Sequence, residues 1–249
     1  MDLTDWQQAQ RHYYDKRRHG HLEPQQGGVY AKNLTRKLRD RIGISEQSHG
    51  LEIGCGAGRF TIPLLQYFRT LEVADLSTRQ LSLLEEELKQ QKIDETRCVL
   101  HHADVEKLDE VLPQDHFDFV IGVFVLHHLV DPADTVERLS KLVKPGGRLI
   151  FLEPNRWNPL FTLQILLLPD FSFAQEKRLY QLGTHRLRRF LSEAGLDEVR
   201  SERTGFFPPQ VINRCQWALA LEQRIEAVRL FNPVLPFLII SGTRPDREN

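Results

Sequence analysis

Residues 51–60 of the chain read LEIGCGAGRF, and this stretch decides how the rest of the sequence is interpreted. A short apolar run ends at Ile53, glycines follow at positions 54, 56 and 58, and residues 60–65 resume an apolar, helix-like pattern. Glycines let the backbone bend sharply and admit a ligand where a Cβ would clash, and a helix start presents unpaired N–H groups. The stretch therefore predicts a strand, a glycine turn and a helix that bind a nucleotide-type cofactor.

Two details separate this turn from the dinucleotide fingerprint. Arg59 stands where G-x-G-x-x-G requires its last glycine, and Glu52 lies inside the strand before the turn. Residues 70–77 read as a second strand that ends at the acid Asp75. Asp75 lies near the offset of about twenty residues at which a carboxylate accepts hydrogen bonds from ribose hydroxyls. A cofactor that contains a ribose is therefore expected.

Composition limits the classes of function. The 249 residues include 41% hydrophobic residues, which is enough for a full core. The 33 basic residues are balanced by 34 acids, so no global positive field marks a nucleic-acid binder, and no nucleic-acid partner is predicted. The three cysteines form no C-x-x-C pair, which argues against a disulfide framework or a zinc site, and no acid pair with an asparagine marks a cation site, so no metal is predicted. The polar first residues and the lack of a long apolar run favour a cytoplasmic protein.

Strand-like and helix-like patterns alternate along the chain. Residues 97–105, 116–126 and 148–153 predict further strands, and the second of these is nearly all apolar, as a buried parallel strand should be. Helices are predicted at 29–42, at 78–91 with Ser77 as its cap, from Pro132 after Asp131, and at 184–194, and two last strands near 198–204 and 237–243. This alternation is typical of an α/β fold with a doubly wound sheet. In such sheets ligands bind beyond the carboxyl ends of the strands, which gathers the candidate residues into one crevice.

The set of motifs resembles the class I S-adenosylmethionine-dependent methyltransferases. Residues 52–58 match their first motif, Asp75 their ribose-binding acid, residues 103–104 their adenine-side motif, and residues 142–149 (LVKPGGRL) the turn that follows the motifs. The resemblance implies a seven-stranded Rossmann-like sheet in the order 3-2-1-4-5-7-6 with an antiparallel last strand. It also implies S-adenosyl-L-methionine as cofactor.

The resemblance assigns residues to the cofactor by position. The glycines pass beneath the methionine moiety, Asp75 holds the ribose hydroxyls, Leu76 packs on adenine and Asp104 bonds its amino group. The cofactor-binding residues predicted in this way are Glu52, Gly54, Gly56, Gly58, Asp75, Leu76, Ala103, Asp104, Val105 and Val123.

Two residues after the strands are candidates for catalysis. His128 follows the fourth strand, and a neutral imidazole there could accept the proton of a hydroxyl while it is methylated; a structural or cofactor-lining role is the alternative. Glu153 ends the fifth strand and could meet the substrate, or Asn155 and Arg156. Residues 123–128 read VFVLHH instead of an Asp-Pro-Pro-Tyr-like motif, which disfavours methylation of a base amine.

The chain is interpreted as one methyltransferase domain over residues 1–249 with three additions. Residues 1–43 are predicted to form an N-terminal helical lid, in which Tyr14 or His19 could touch the cofactor or the substrate. Residues 44–154 are predicted to form the cofactor-binding core. Residues 155–183 and 206–235 are cap inserts rich in leucine and aromatics. The inserts either pack on each other or cover a lipophilic acceptor, taken in one interpretation from a membrane surface by Arg186, Arg188 and Arg189.

The preferred function is methylation of a small lipophilic or aromatic acceptor, at oxygen rather than nitrogen or carbon. One alternative is an RNA-modifying methyltransferase that contacts phosphates through residues 16–19 and 186–189. Another is a non-catalytic subunit that binds the cofactor and a protein partner. The oligomeric state stays open, and so does peripheral contact with a membrane.

Overall fold

The computed structural model describes residues 24–158 and 180–246. Seven strands form one sheet in the order β3-β2-β1-β4-β5-β7-β6, which confirms the predicted topology. Strand β7 is antiparallel to its neighbours β5 and β6, and the other four neighbouring pairs are parallel. The strands are β1 His49–Ile53, β2 Thr70–Asp75, β3 Cys98–His102, β4 Phe117–Val123, β5 Val143–Pro154, β6 Asp197–Thr204 and β7 Phe237–Thr243.

Helices cover both faces of the sheet. They are α1 Pro24–Ile42, α2 Thr61–Leu64, α3 Thr78–Gln90, α4 Pro132–Leu142, α5 Thr184–Glu193, α6 Pro209–Ile212 and α7 Gln216–Ala227. One hydrophobic cluster holds Leu34 and Leu38 of α1 and Leu84 of α3, and a second holds Val136 of α4 and Leu187 of α5. The β-strands contribute side chains to both clusters, as expected for a doubly wound sheet.

Two helix starts follow the predicted capping residues. The Ser77 side chain accepts a hydrogen bond from the Gln80 amide at 3.2 Å, and α3 begins directly after it. Asp131 caps α4 by accepting from the Ala133 and Asp134 amides, with Pro132 at the first helical position. Both caps satisfy N–H groups that have no partner within their helix. They place both helix starts next to strand ends.

Strand β5 is longer than the sequence predicts. It begins at Val143, although residues 144–147 (KPGG) predict a turn before a strand at Arg148. The Gly146 amide donates to the Arg244 carbonyl and the Arg244 amide donates to the Gly147 carbonyl, so residues that follow β7 extend the pairing. An irregularity in the β4–β5 register between Phe117 and Phe119 accommodates the glycines.

The second cap insert is two helices rather than one. The sequence predicts an amphipathic helix with Val211, Cys215, Leu219 and Ile225 on one side, but α6 ends at Ile212 and α7 begins at Gln216. Val211, Cys215 and Leu219 nevertheless pack against the same hydrophobic cluster, whereas Ile225 is half-buried outside it. The first insert is described only at 155–158 and 180–183, so residues 159–179 and lid residues 1–23 (Tyr14, His19) lie outside the described residues.

A buried ion network fastens α7 to α1. The Lys37 ammonium lies 2.5 Å from Glu222 Oε1 and 2.5 Å from Glu226 Oε1, and Lys37 and Glu222 are almost fully buried. Burial opposes ionisation of Glu226, but Lys37 together with hydrogen bonds from Gly205 and Thr204 holds the pKa of Glu226 below its ordinary value. The Asn33 amide also donates to Glu222 at 2.9 Å. The second insert is therefore an anchored cap.

The same two acids bind the backbone that leaves β6 and enters the second insert. Glu222 Oε2 accepts from the amides of Phe206 and Phe207 at 2.8 and 3.1 Å. Glu226 Oε1 accepts from the Gly205 amide and the Thr204 hydroxyl. Among the described residues, no helix combines the length and the apolar character needed to cross a bilayer.

Candidate active site

The glycine turn is tied to the end of β2 by its own backbone. The Gly54 amide donates to the Ala74 carbonyl at 2.8 Å, and the Cys55 amide reaches the same oxygen at 3.3 Å. The Gly56 amide donates to Asp75 Oδ2 at 2.8 Å, and the other oxygen of Asp75 accepts from the Ser77 amide at 2.8 Å. The first motif and the predicted ribose acid therefore form one rigid unit.

Two glycines of the turn need to be glycine for different reasons. Gly58 has φ +89°, and a Cβ there would collide with the Leu84 side chain of α3. Gly56 has φ +52°, but a Cβ there would meet nothing within 4 Å. The close packing at Gly58 is structural, whereas the space over Gly56 opens into the crevice. A ligand that passes over the turn fits this space.

Glu52 lies beneath the turn and is almost completely buried. The Thr61 hydroxyl at the start of α2 donates to Glu52 Oε2 at 2.6 Å. Burial raises the pKa of Glu52 to about 8; the Thr61 hydrogen bond opposes this and the Asp75 carboxylate adds to it. Glu52 therefore links β1 to α2 and carries a proton at neutral pH. Sequence reasoning did not identify Thr61 as its partner.

The predicted adenine side forms at the ends of β2 and β3. The Ala103 amide donates to the Asp75 carbonyl at 3.2 Å, and His102 Nε2 lies 3.0 Å from the Leu76 carbonyl. Asp104 starts a 3-10 turn, where its side chain accepts from the Glu106 amide at 3.0 Å. Val105 is buried beneath this turn. The structure thus brings Leu76, Ala103 and Asp104 to one edge, next to Asp75.

Strand β4 ends in the same crevice and turns sharply. Val123 is its last residue and is buried. Phe124 follows with φ +55°, a left-handed conformation that non-glycine residues adopt at a cost of about 1–3 kcal/mol. Its ring lies 5.7 Å from the Phe60 ring and 5.3 Å from the Phe237 ring. Backbone strain of this kind is concentrated at functional sites.

Glu153 holds the loop after β4. Its Oε1 accepts from the amides of Val125 and Leu126 at 3.0 and 2.9 Å, and its Oε2 lies 2.6 Å from His127 Nδ1. Glu153 is 1% exposed and His127 is 3% exposed. The carboxyl group contacts neither Asn155 nor Arg156 in these bonds. This placement favours a positioning role, and a catalytic role for Glu153 stays a prediction.

His128 lies beside this buried pair. It ends the 3-10 turn Leu126–His128, is half-buried, and its ring centroid is 4.0 Å from that of His127. The His128 amide donates to the Val125 carbonyl at 3.0 Å. The buried Glu153–His127 pair therefore positions His128 through the loop that they share. The proton-accepting role of His128 stays a prediction.

Sequence reasoning missed contacts made by residues that lie far from the glycine turn in sequence. Phe237 comes from β7 and reaches the β4 end because β5 and β7 pair antiparallel, with Pro154 opposite Phe237. No local pattern could have indicated this contact. Glu222 and Glu226 did carry a signal, since two acids four residues apart interrupt the apolar pattern of α7. Buried acids among apolar residues require a cation, and Lys37 supplies it.

The site geometry fits S-adenosylmethionine. A carboxylate held at the ribose position, an open glycine turn and an apolar edge at Leu76 offer what its ribose, methionine and adenine parts require. Asp75, Leu76, Asp104 and the Gly54–Gly58 turn would hold them.

Comparisons with known proteins agree with this fit. Residues 51–151 match a family described as a methyltransferase domain. The polyketide synthase PKS2 of Leptosphaeria maculans, described as highly reducing, is 28% identical over 249 residues, which cover 94% of this chain and 9% of that protein. A ubiquinone biosynthesis O-methyltransferase of Alkalilimnicola ehrlichii is 30% identical over 161 residues, which cover 65% of this chain and 62% of that protein. The chain spans less than two thirds of the length of both relatives.

A solved structure shares the fold. A putative S-adenosyl-L-methionine-dependent methyltransferase from Methanococcus maripaludis superposes with a TM-score of 0.61 at 16% identity, covering 88% of this chain and 87% of that one. At this identity the likeness concerns the fold. The family match spans the same motifs that fold here into one crevice, and residues 51–151 are therefore those of a methyltransferase domain.

Proposed function

We propose that the chain methylates a small lipophilic or aromatic acceptor, preferably at a hydroxyl oxygen, with S-adenosylmethionine as the methyl donor. The observation that carries the proposal is the aromatic cluster Tyr30, Phe60, Phe124 and Phe237 beyond the carboxyl ends of β1 and β4. The Tyr30 and Phe237 rings lie 6.2 Å apart, and the Phe237 ring lies 5.3 Å from the Phe124 ring. An aromatic wall beside the glycine turn suits an apolar, flat acceptor.

The proposed chemistry uses few protein groups. When bound, the cofactor supplies a methyl group on a sulfonium, which needs an aligned nucleophile more than it needs acid or base catalysis. The aromatic cluster orients the acceptor, and Asp75 and the glycine turn orient the donor. His128 accepts the hydroxyl proton as the oxygen becomes methylated. The name of the Alkalilimnicola relative, an O-methyltransferase, supports oxygen as the acceptor atom.

The test begins with calorimetric titration of S-adenosylmethionine, followed by mass spectrometry of a panel of phenols, catechols and aliphatic acids. We expect methylated phenols or catechols, and a 10²- to 10⁴-fold lower kcat in His128→Asn with cofactor affinity unchanged. His185→Asn is the matched control, because His185 is an exposed histidine on α5. Absence of cofactor binding would refute the assignment. Binding without turnover, together with a tightly bound protein partner, would favour the non-catalytic subunit.

We further propose that the cap meets an anionic membrane surface from which a lipophilic acceptor is taken. Large apolar side chains stand exposed on the cap, with Trp217 at 60% and Leu230 at 82% exposure. Leu221 and Phe231 extend the same exposed apolar surface. Aromatic and leucine side chains of this kind insert at the boundary between headgroups and acyl chains.

Charge on the cap supports an anionic surface. Between residues 205 and 235 the charged side chains are three arginines and two glutamates, and both glutamates bind Lys37 inside the protein. Arg214, Arg224 and Arg229 are exposed, so the solvent-facing charge of the cap is positive. By contrast Arg189, one of the arginines predicted to face a membrane, pairs with Glu193 at 2.8 Å.

Co-sedimentation with vesicles separates the possibilities for the cap. We expect binding to phosphatidylglycerol vesicles, weak binding to phosphatidylcholine vesicles, and loss of binding in Trp217→Ser with Leu230→Ser. Val111→Ser is the control, since Val111 is an exposed apolar residue outside the cap. Equal binding to both vesicle types, or none, would overturn the proposal. Salt-sensitive retention of RNA instead would revive the RNA-modifying alternative.

A further inference from the structure

The structure assigns a transition-metal site, with Zn²⁺ as the best-matched ion, to His49, Glu72 and His116. The three residues come from the start of β1, the middle of β2 and the residue before β4, and their ligand atoms all lie within 4.8 Å of one another. The site lies away from the cofactor crevice, because Glu72 precedes Asp75 by three residues, or roughly 10 Å along the strand. It is independent of the proposed function.

Two of the three separations between ligand atoms bracket the spacing around a tetrahedral ion. His49 Nε2 lies 2.9 Å and His116 Nε2 3.7 Å from Glu72 Oε1. Bonds of about 2.0–2.1 Å around a tetrahedral Zn²⁺ place the ligand atoms roughly 3.3 Å apart, which lies between these two values. Small side-chain rotations therefore suffice to seat the ion. Two imidazoles and one carboxylate suit Zn²⁺, whereas Mg²⁺ and Ca²⁺ prefer oxygen ligands alone.

The ligands are held in place by the sheet and its surroundings. The His49 amide donates to Asp118 Oδ2 at 2.7 Å, and the His116 amide donates to the Leu142 carbonyl at 2.9 Å. The rings of His49 and His116 lie 4.8 Å apart, and both contact the Phe117 ring. A prearranged set of ligands lowers the cost of ordering them when the ion binds.

A third histidine orients the carboxylate. The strand registers pair Leu51 with Glu72 and Glu72 with Val99, so His49, Glu72 and His101 lie on the same face of the sheet. His101 Nε2 lies 2.6 Å from Glu72 Oε2, the oxygen that faces away from His49. An outer partner of this kind fixes a ligating carboxylate. Three protein ligands leave a fourth coordination position open to solvent, since the His116 side chain is 42% exposed.

The sequence carried no sign of this site. The four positions lie in separate segments and show none of the short spacings that mark zinc ligands. The parallel pairing of β1, β2 and β3 brings three of them together, and the β1–β4 pairing adds His116. The expectation of no metal rested on local spacing, which cannot detect such a cluster.

Calorimetric titration of the chelator-treated full chain with Zn²⁺, without cofactor or acceptor, tests the assignment. We expect one ion per chain, and a Tm that rises by about 5–10 °C at a Zn²⁺ concentration a hundred times Kd. His49→Ala and His116→Ala should each weaken binding more than about 100-fold, and His101→Ala about 10- to 100-fold. Co²⁺ in place of Zn²⁺ should show the visible absorption of a four-coordinate ion, lost in His116→Ala.

His185→Ala serves as the control and should bind Zn²⁺ as the unmodified chain does. Melting curves of each metal-free variant check folding, and the half-exposed position of His116 makes its variant the safest. Unchanged Zn²⁺ binding in both His49→Ala and His116→Ala would overturn the site and point to other histidines, such as His12, His19 and His21. No binding at all by the unmodified chain would overturn it as well.

Discussion

Replacing Glu153 distinguishes a positioning role from a catalytic one. Glu153→Ala removes a carboxyl group that accepts from the Val125 and Leu126 amides and bonds His127, all of them buried. Each buried polar group that loses its partner costs about 1–3 kcal/mol, so the three together predict a loss of at least about 3 kcal/mol. For a chain of this length that loss lowers Tm by roughly 6–12 °C.

Glu153→Gln is the matched variant. Its amide oxygen can still accept from both backbone amides, and its NH₂ group can donate to His127 if the imidazole adopts the other tautomer. The expected cost is therefore only about 1 kcal/mol, with methyl transfer reduced several-fold at most. Glu153→Ala should also weaken the action of His128, because it releases the loop that carries this residue.

Urea denaturation gives the free energy of unfolding of each variant, calorimetry gives its cofactor affinity, and initial rates give kcat and KM. The positioning role would be refuted by a Glu153→Gln protein that is stable and binds cofactor normally but has lost methyl transfer. That result would make the carboxyl group itself catalytic. Equal destabilisation by both substitutions would instead show that the two backbone hydrogen bonds contribute little.

Four further substitutions test other parts of the structure. Gly56→Ala should lose cofactor affinity at least ten-fold in calorimetry while its stability falls by only about 1 kcal/mol, whereas Gly58→Ala should lose more stability, because φ +89° strains its backbone and its Cβ displaces the end of the Leu84 side chain. Lys37→Met should lower the free energy of unfolding by about 3–5 kcal/mol in urea, since it leaves Glu222 buried without its cation and Glu226 with only Arg41, at 3.7 Å. Hydrogen bonds from His101 and His49 lower the pKa of Glu72 to about 2. Above pH 4.5, Glu72→Gln should therefore lower the free energy of unfolding of the metal-free protein by about 1–2 kcal/mol, after allowance for solvent screening. This difference should disappear as the pH falls from 4.5 to 2; a constant difference would contradict it.

The part of the site predicted to bind the cofactor could be read from the sequence, because its residues interact mainly with neighbours a few positions away. The glycine turn, Asp75 and the caps at Ser77 and Asp131 each depend on neighbours within a few positions, and the structure places them as the patterns indicate. The strand order followed from the family resemblance. The boundary of β5 was missed, since residues 144–147 read as a turn until the chain beyond β7 pairs with them.

The proposed acceptor-binding part of the site depends on contacts that no local pattern encodes. Phe237 reaches Phe124 only because β7 inserts antiparallel beside β5, and that register is set by the whole edge of the sheet. The strained backbone of Phe124 is in turn held by the loop that Glu153 binds. The two parts therefore meet at the end of β4, where one side of a short loop faces the donor and the other faces the aromatic wall. Substitutions on the side of the loop that faces the aromatic wall should change acceptor preference more than cofactor affinity, because the contacts predicted to hold the cofactor lie mainly on β1, β2 and β3.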